Sequence, residues 1–294
     1  SLYGIFDVVT SIRYSRTIYL CILGVSWFWL VSGIVMSEIP NLVTRTMNAH
    51  PSILTLSLVV FGVGIAAGSM LCNRLLKNRI EATYVPIAAF GISCALYDLA
   101  STLHAFETPH HQIDLLTFVC SLSHWHIIMD FFLIGCFGGL YHVPLYTLIQ
   151  HESPEKERAR VVACHNIVST VFMVTGSLLN IALHKTFNDN SAYIFGFVSF
   201  MFFWLSLYIS QLMPYKILQT SLRFIFNTFY RAKVSGMSHY MDNRDQPIIL
   251  VANHTSWLDA IILSAFFPDK LTFAFNNNVR AVSYTHLRAH ETKW

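Results

Sequence analysis

The chain has 294 residues, 54% hydrophobic and only 12% charged, with a mean hydropathy of +0.50. An average soluble domain carries about 25% charged residues, so this balance excludes an ordinary soluble globule and points to a multi-span membrane protein. The net charge of +3 is small and no basic run interleaves with aromatics, which argues against a nucleic-acid partner.

The chain opens on Ser1 with no charged-then-apolar signal peptide. Six apolar runs follow near 17–37, 52–72, 84–103, 125–149, 165–184 and 191–213. Each has about the 20 residues that a helix needs to cross the hydrocarbon core. Their connections alternate in charge. Arg13 and Arg16 precede the first run, Arg74, Lys77 and Arg79 follow the second, and Lys156, Arg158 and Arg160 follow the fourth. Lys216, Arg223, Arg231 and Lys233 come after the sixth, whereas the other connections hold only Arg45, no Lys or Arg, and Lys185. By the positive-inside rule, both ends are cytoplasmic.

Gly64 with Gly68 and Gly135 with Gly139 form Gly-x-x-x-Gly pairs. Such faces let helices approach closely, either as plain packing or as a sliding transporter interface. Pro144 is positioned to kink the fourth span. Asp98, Asp130 and His142 are the ionisable groups of interest inside the runs, where burial costs several kcal/mol and often signals function. The acids either face a water-filled path, meeting a proton or a cationic headgroup, or sit hydrated near the outer interface. His104, His110, His111, His124 and His126 crowd one connection. They read as a solvated outer loop, because no Cys or well-placed carboxylate joins them at metal-ligand spacing. The scattered cysteines (Cys21, Cys72, Cys94, Cys120, Cys136 and Cys164) include no Cys-x-x-Cys, so neither a zinc site nor a disulfide framework is indicated.

Beyond the sixth run, residues 214–233 place Leu218, Leu222, Ile225 and Phe229 at helical spacing with basic residues around them. The pattern predicts an amphipathic helix on the cytoplasmic leaflet. PIILVAN then has a strand-like look, and HTSWLDAIILSAFF reads as a helix start. Within it, His254 and Asp259 have two readings. In the first, Ser256 caps the helix, Asp259 completes a capping box and His254 merely ends a strand. In the second, a strand-turn-helix lets Asp259 orient His254 as a general base for an alcohol attacking a thioester. The same His-x4-Asp spacing recurs at His184 and Asp189, in an expected outer loop with no strand before it, so spacing alone decides nothing.

VSG, PIILVANHTSWLDAIIL and FPDKLTFAFN resemble the opening of the glycerolipid acyltransferases, which esterify lysophospholipids. Asn253, His254, Ser256 and Asp259 match that family's first motif, and Val234 with Gly236 fit its lead-in. The resemblance implies a catalytic His254, an orienting Asp259, support from Asn253 and Ser256, and an acyl carrier protein or coenzyme A thioester as co-substrate, with no further cofactor. The family's later Glu-Gly-Arg block does not occur here. TIYLCILGVSWFWL, LSLVVFGVGIAAGSMLCNRLL and FLIGCFGGLYHVPLYTLIQ are similar to the second six-helix bundle of major facilitator transporters, in the lysophospholipid branch fused to an acyltransferase in some bacteria. The basic turn SMLCNRLLK is a loose version of the facilitator loop motif, with Asn73 where Asp is usual.

These resemblances imply a mainly α membrane protein: half of a major facilitator fold over 1–213, an interfacial helix over 214–233, and the start of an α/β acyltransferase domain over 234–281. Residues 282–294 are expected to be non-native, because VSYTHLRAHET resembles translated sequencing adapter. The expected parent sits in a bacterial inner membrane, moves lysophospholipid and re-acylates it as a glycerolipid O-acyltransferase; the fragment itself is expected to be inactive. The alternative is a facilitator for another small solute with a non-catalytic tail.

Overall fold

The computed structural model of the chain describes residues 16–76, 81–212, 214–243, 248–252, 258–267, 269 and 271–273. The chain divides into two units, Ser1–Met213 and Pro214–Trp294.

The first unit is built from α1 (Arg16–Asn41), α2 (Pro51–Leu76), α3 (Val85–His104), the short α4 (Leu115–Cys120), α5 (Trp125–Glu152), α6 (Arg158–Thr186) and α7 (Ser191–Leu212). All but α4 are long and apolar enough to span a membrane. Hydrocarbon offers no partner to backbone N–H and C=O groups, so apolar runs of this length satisfy themselves as helices. The six expected runs are all present, with shifted ends. α6 begins at Arg158, well before residue 165, since long basic side chains can extend a helix end into the interface. α1 continues to Asn41 and then widens into a π-turn, Leu42–Thr46, just after Pro40. Pro40 lacks the N–H that would bond the Met36 carbonyl, and downstream Thr44 Oγ1 donates to the Pro40 carbonyl at 2.7 Å. α5 stays helical through Pro144.

α1 packs against α6, α2 against α5 and α3 against α7, while α5 also contacts α3 and α1. Exchanging α1–α2–α3 for α5–α6–α7 maps the α1–α6 pair onto α5–α2 and leaves α3–α7 and α1–α5 in place. The pairings therefore have the pattern of a two-fold repeat. At the self-mated α3–α7 contact, Ser93 Oγ donates to the Ser199 carbonyl at 2.9 Å and Ser199 Oγ returns the bond at 2.8 Å. At the two exchanged contacts, glycines set the approach. A Cβ on Gly68 would run into the Cys136 carbonyl and one on Gly135 into that of Phe61; likewise Gly176 faces the Leu30 carbonyl and Gly33 that of Met173. Lipid tails are as apolar as leucine, so close packing rather than hydrophobic burial holds such helices together.

At one end of the bundle the three connections are stitched together. Ala49 and Ile113 form a parallel bridge, Thr108 Oγ1 donates to the Thr46 carbonyl at 3.1 Å, and Thr46 meets Ser191 at 3.1 Å.

The second unit contains α8 (Pro214–Phe229), α9 (Met237–Asp242) and α10 (Leu258–Phe266). Gly236 precedes α9 in the left-handed region, φ +76°, which suits a residue without Cβ. Residues 248–252, expected as a strand, carry no regular secondary structure and stand exposed. No strand occurs among the described residues of this unit, and a strand without a partner is not stable.

Candidate functional site

The densest polar site of the first unit lies where α1, α6 and α7 meet near the stitched end. Glu38, on α1, is 0% exposed. Its Oε1 accepts from Ser191 Oγ at 2.6 Å and Asn41 Nδ2 at 3.0 Å. Its Oε2 accepts from Asn180 Nδ2 at 3.2 Å and lies 2.7 Å from His184 Nε2. The other ring nitrogen of His184 is 2.9 Å from Asp189 Oδ1. An imidazole donates from both nitrogens only as a cation, so His184 can join the buried and the exposed carboxylate as an ion triad.

His184 is thus in the last turns of α6, not in an outer loop. Asn188 and Asp189 both adopt left-handed φ, at 51° and 59°, a conformation these two residue types tolerate best. That turn folds Asp189 back onto His184, so His-x4-Asp can close at a helix end. Glu38 escaped the sequence reading because the first run was closed at residue 37. The available signal was a lone carboxylate directly abutting an apolar run.

Asp98 and Asp130 lie near one another where α3 crosses α5, close enough for their charges to interact. Asp130 is 2% exposed, and its Oδ2 is buried with no partner among the described residues. Asp98, by contrast, is exposed. His142 does not join them, being twelve residues further along α5, about 18 Å away. Its ring lies 5.7 Å from Phe28, 5.9 Å from Trp29 and, stacked, 5.7 Å from Tyr146, and its Nε2 is buried without a partner among the described residues. His104, His110, His111 and His126 are exposed, and His124 stacks on Phe118 with centroids 4.6 Å apart.

In the second unit, Asp259 stands in the first turn of α10, half-buried. Asn253, His254 and Ser256, like residues 282–294, lie outside the described residues. α10 is held at its other end. Gln219 Nε2 donates to the carbonyls of Phe267 and, at 3.2 Å, Ser264, and Arg223 donates to those of Ala265 and, at 3.4 Å, Phe266. These bonds occupy carbonyls that a helix end leaves without an internal partner. Arg223 is therefore a helix cap, not one of the lipid-facing cations its position in the sequence implied. Of the expected stripe of α8, Leu218, Ile225 and Phe229 are exposed and Leu222 is half-buried, while Phe226, one turn on from Leu222, is buried. Val234, Gly236, His239 and Tyr240 line a cleft of about 480 Å³, with Leu250 and Phe267.

An acyltransferase family model matches residues 231–293, which take in α9, α10 and the stretch 253–259. No curated protein and no solved structure matches the chain. The chain thus joins six membrane-capable helices to a segment that matches an acyltransferase family model.

Proposed function

We propose that the protein moves lysophospholipid, of the phosphatidylethanolamine type, across a bacterial inner membrane and re-acylates it at the inner leaflet. The order of parts carries this reading: six membrane-capable helices, a helix with an exposed apolar stripe, then the acyltransferase match. Two sets of three helices with exchangeable pairings favour one bundle of a major facilitator transporter, whose six-helix halves contain such inverted repeats. Asp130 and Asp98 offer that transport a proton or cation site.

In the acyl transfer, His254 takes the proton from the lysolipid hydroxyl as its oxygen attacks the thioester carbonyl of an acyl carrier protein or coenzyme A donor. The new C–O ester bond forms, the C–S bond breaks, and the departing sulfur receives the proton from His254. Asp259 holds the imidazole in the tautomer whose free nitrogen faces the hydroxyl and stabilises the imidazolium. No metal or covalent enzyme intermediate enters.

The test is acyl transfer by purified full-length variants, with melting temperature measured on the same samples. General-base catalysis contributes about 10²–10⁴-fold, so His254→Ala should lower turnover by that order without lowering the melting temperature. If Asp259 only caps α10, Asp259→Ala costs about 1 kcal/mol of stability and leaves turnover per folded molecule unchanged. Full turnover in His254→Ala refutes the enzyme reading.

A further inference from the structure

The pairing pattern of the first unit has one exception. α3 packs closely on α5, but their exchanged counterparts, α7 and α1, barely touch. The tight contact closes because the Phe137 ring lies flat against Gly91, where any Cβ would collide with it. On the open side Leu20 and Trp27 of α1 face Phe200, Trp204 and Tyr208 of α7, and a groove of about 1050 Å³ remains between the helices. Its floor is fixed: Tyr141 of α5 donates to the Gly24 carbonyl at 2.9 Å.

The groove has a polarity along its length. Arg16 and Thr17, at the start of α1, lie at one end, and the rest of its wall is mainly apolar and aromatic. From Arg16 to Trp27 the helix rises about 17 Å, against roughly 15 Å for half of a ~30 Å hydrocarbon core. The slot therefore reaches from one membrane interface to about the midplane. At roughly the 30 Å³ that a water occupies in liquid, taken as similar to a methylene, a chain of about 16 carbons needs about 500 Å³. One chain with its glycerol phosphate fits.

We infer that the α1–α7 groove binds a glycerophospholipid from the leaflet at the Arg16 end, its acyl chain laid between the aromatic walls and its phosphate on the Arg16 guanidinium. Arginine suits that end because its planar fork pairs with phosphate. The inference needs only the membrane-spanning character of the six helices, not transport or acyl transfer.

The test uses the full chain in nanodiscs and measures tryptophan quenching by lysophosphatidylglycerol with a brominated chain, the Trp204→Phe variant isolating the groove signal. The Trp204 component should saturate at a few per cent of lipid. Arg16→Gln should weaken the half-saturation point about tenfold, and Leu20→Trp, which fills the slot, should abolish saturation. A brominated monoacylglycerol, lacking phosphate, should bind about tenfold more weakly and ignore Arg16→Gln. Quenching that rises linearly with lipid fraction and is unchanged by either variant means unspecific annular lipid, and overturns the inference. So does cross-linking of a probe at residue 5 to the Trp204 face, which would make the chain's own N-terminal segment the occupant. A fully active His254→Ala would sink the acyltransferase mechanism but leave saturable quenching untouched, so the two can fail separately.

Discussion

Removing the His184 ring is the perturbation from which the membrane unit should suffer most. Glu38 is 0% exposed, and of its four partners only His184, at 2.7 Å, can carry positive charge. Deleting one member of a buried ion pair typically costs about 3–5 kcal/mol, because the remaining charge stays buried and uncompensated. Asp189 sits on the other side of the same ring, but its side chain is 62% exposed, and such surface pairs are worth about 0–1 kcal/mol. His184→Ala should therefore destabilise several times more than Asp189→Asn, although both remove a 2.7–2.9 Å contact. Replacing the pair together, Glu38→Met with His184→Leu, should cost less than His184→Ala alone, since no charge is then stranded. Unfolding by denaturant in detergent micelles gives all three values. Equal losses in His184→Ala and Asp189→Asn, or a double variant as damaging as the sum of its singles, would refute the idea of a buried charge needing its partner.

Gly68→Val should disrupt the α2–α5 crossing, at a cost of at least the roughly 1–3 kcal/mol of overpacking, because its Cβ meets the Cys136 backbone. Gly62→Val on the same helix is the matched control, having nothing within 4 Å, and should be tolerated. Arg223→Met should free the carbonyls of Ala265 and Phe266 and speed amide exchange in α10 roughly ten- to hundredfold, seen by hydrogen-exchange mass spectrometry. His184→Ala should leave acyl transfer per folded molecule intact, since its aspartate is not part of the acyltransferase match. In intact cells, an impermeant thiol reagent should reach a cysteine at residue 110 but not one at residue 77, as the positive-inside rule requires.

The spans were legible because bilayer thickness imposes a length that composition alone reveals. The glycine pairs Gly64–Gly68 and Gly135–Gly139 were legible because both members lie on one helix. Gly33 and Gly176 were not, each having its counterpart on another helix. Glu38 was missed for a similar reason: its partners Asn180, His184 and Ser191 lie far along the chain, and only packing brings them near. On α8 the apolar stripe could be read from periodicity. The opposite use of Gln219 and Arg223 could not, because two polar residues on a helix look the same whether they face water or cap another helix. The His254–Asp259 pair came from local pattern and resemblance, and its geometry rests outside the described residues.

α8 presents two working sides at once, an apolar stripe left open and a polar edge gripping the end of α10. With the stripe lying on a leaflet, the helix acts as a float of fixed draught. A helix with its side chains is about 10–12 Å across, so the segment bearing Asp259 would ride within about one helix diameter of the acyl-chain boundary, near the level of a lysolipid's glycerol. On the proposed function, a lipid that reacts there never has to leave the bilayer. Extracting a chain of about 16 carbons into water would cost on the order of 13 kcal/mol at about 0.8 per methylene, a barrier that surface-riding chemistry does not meet.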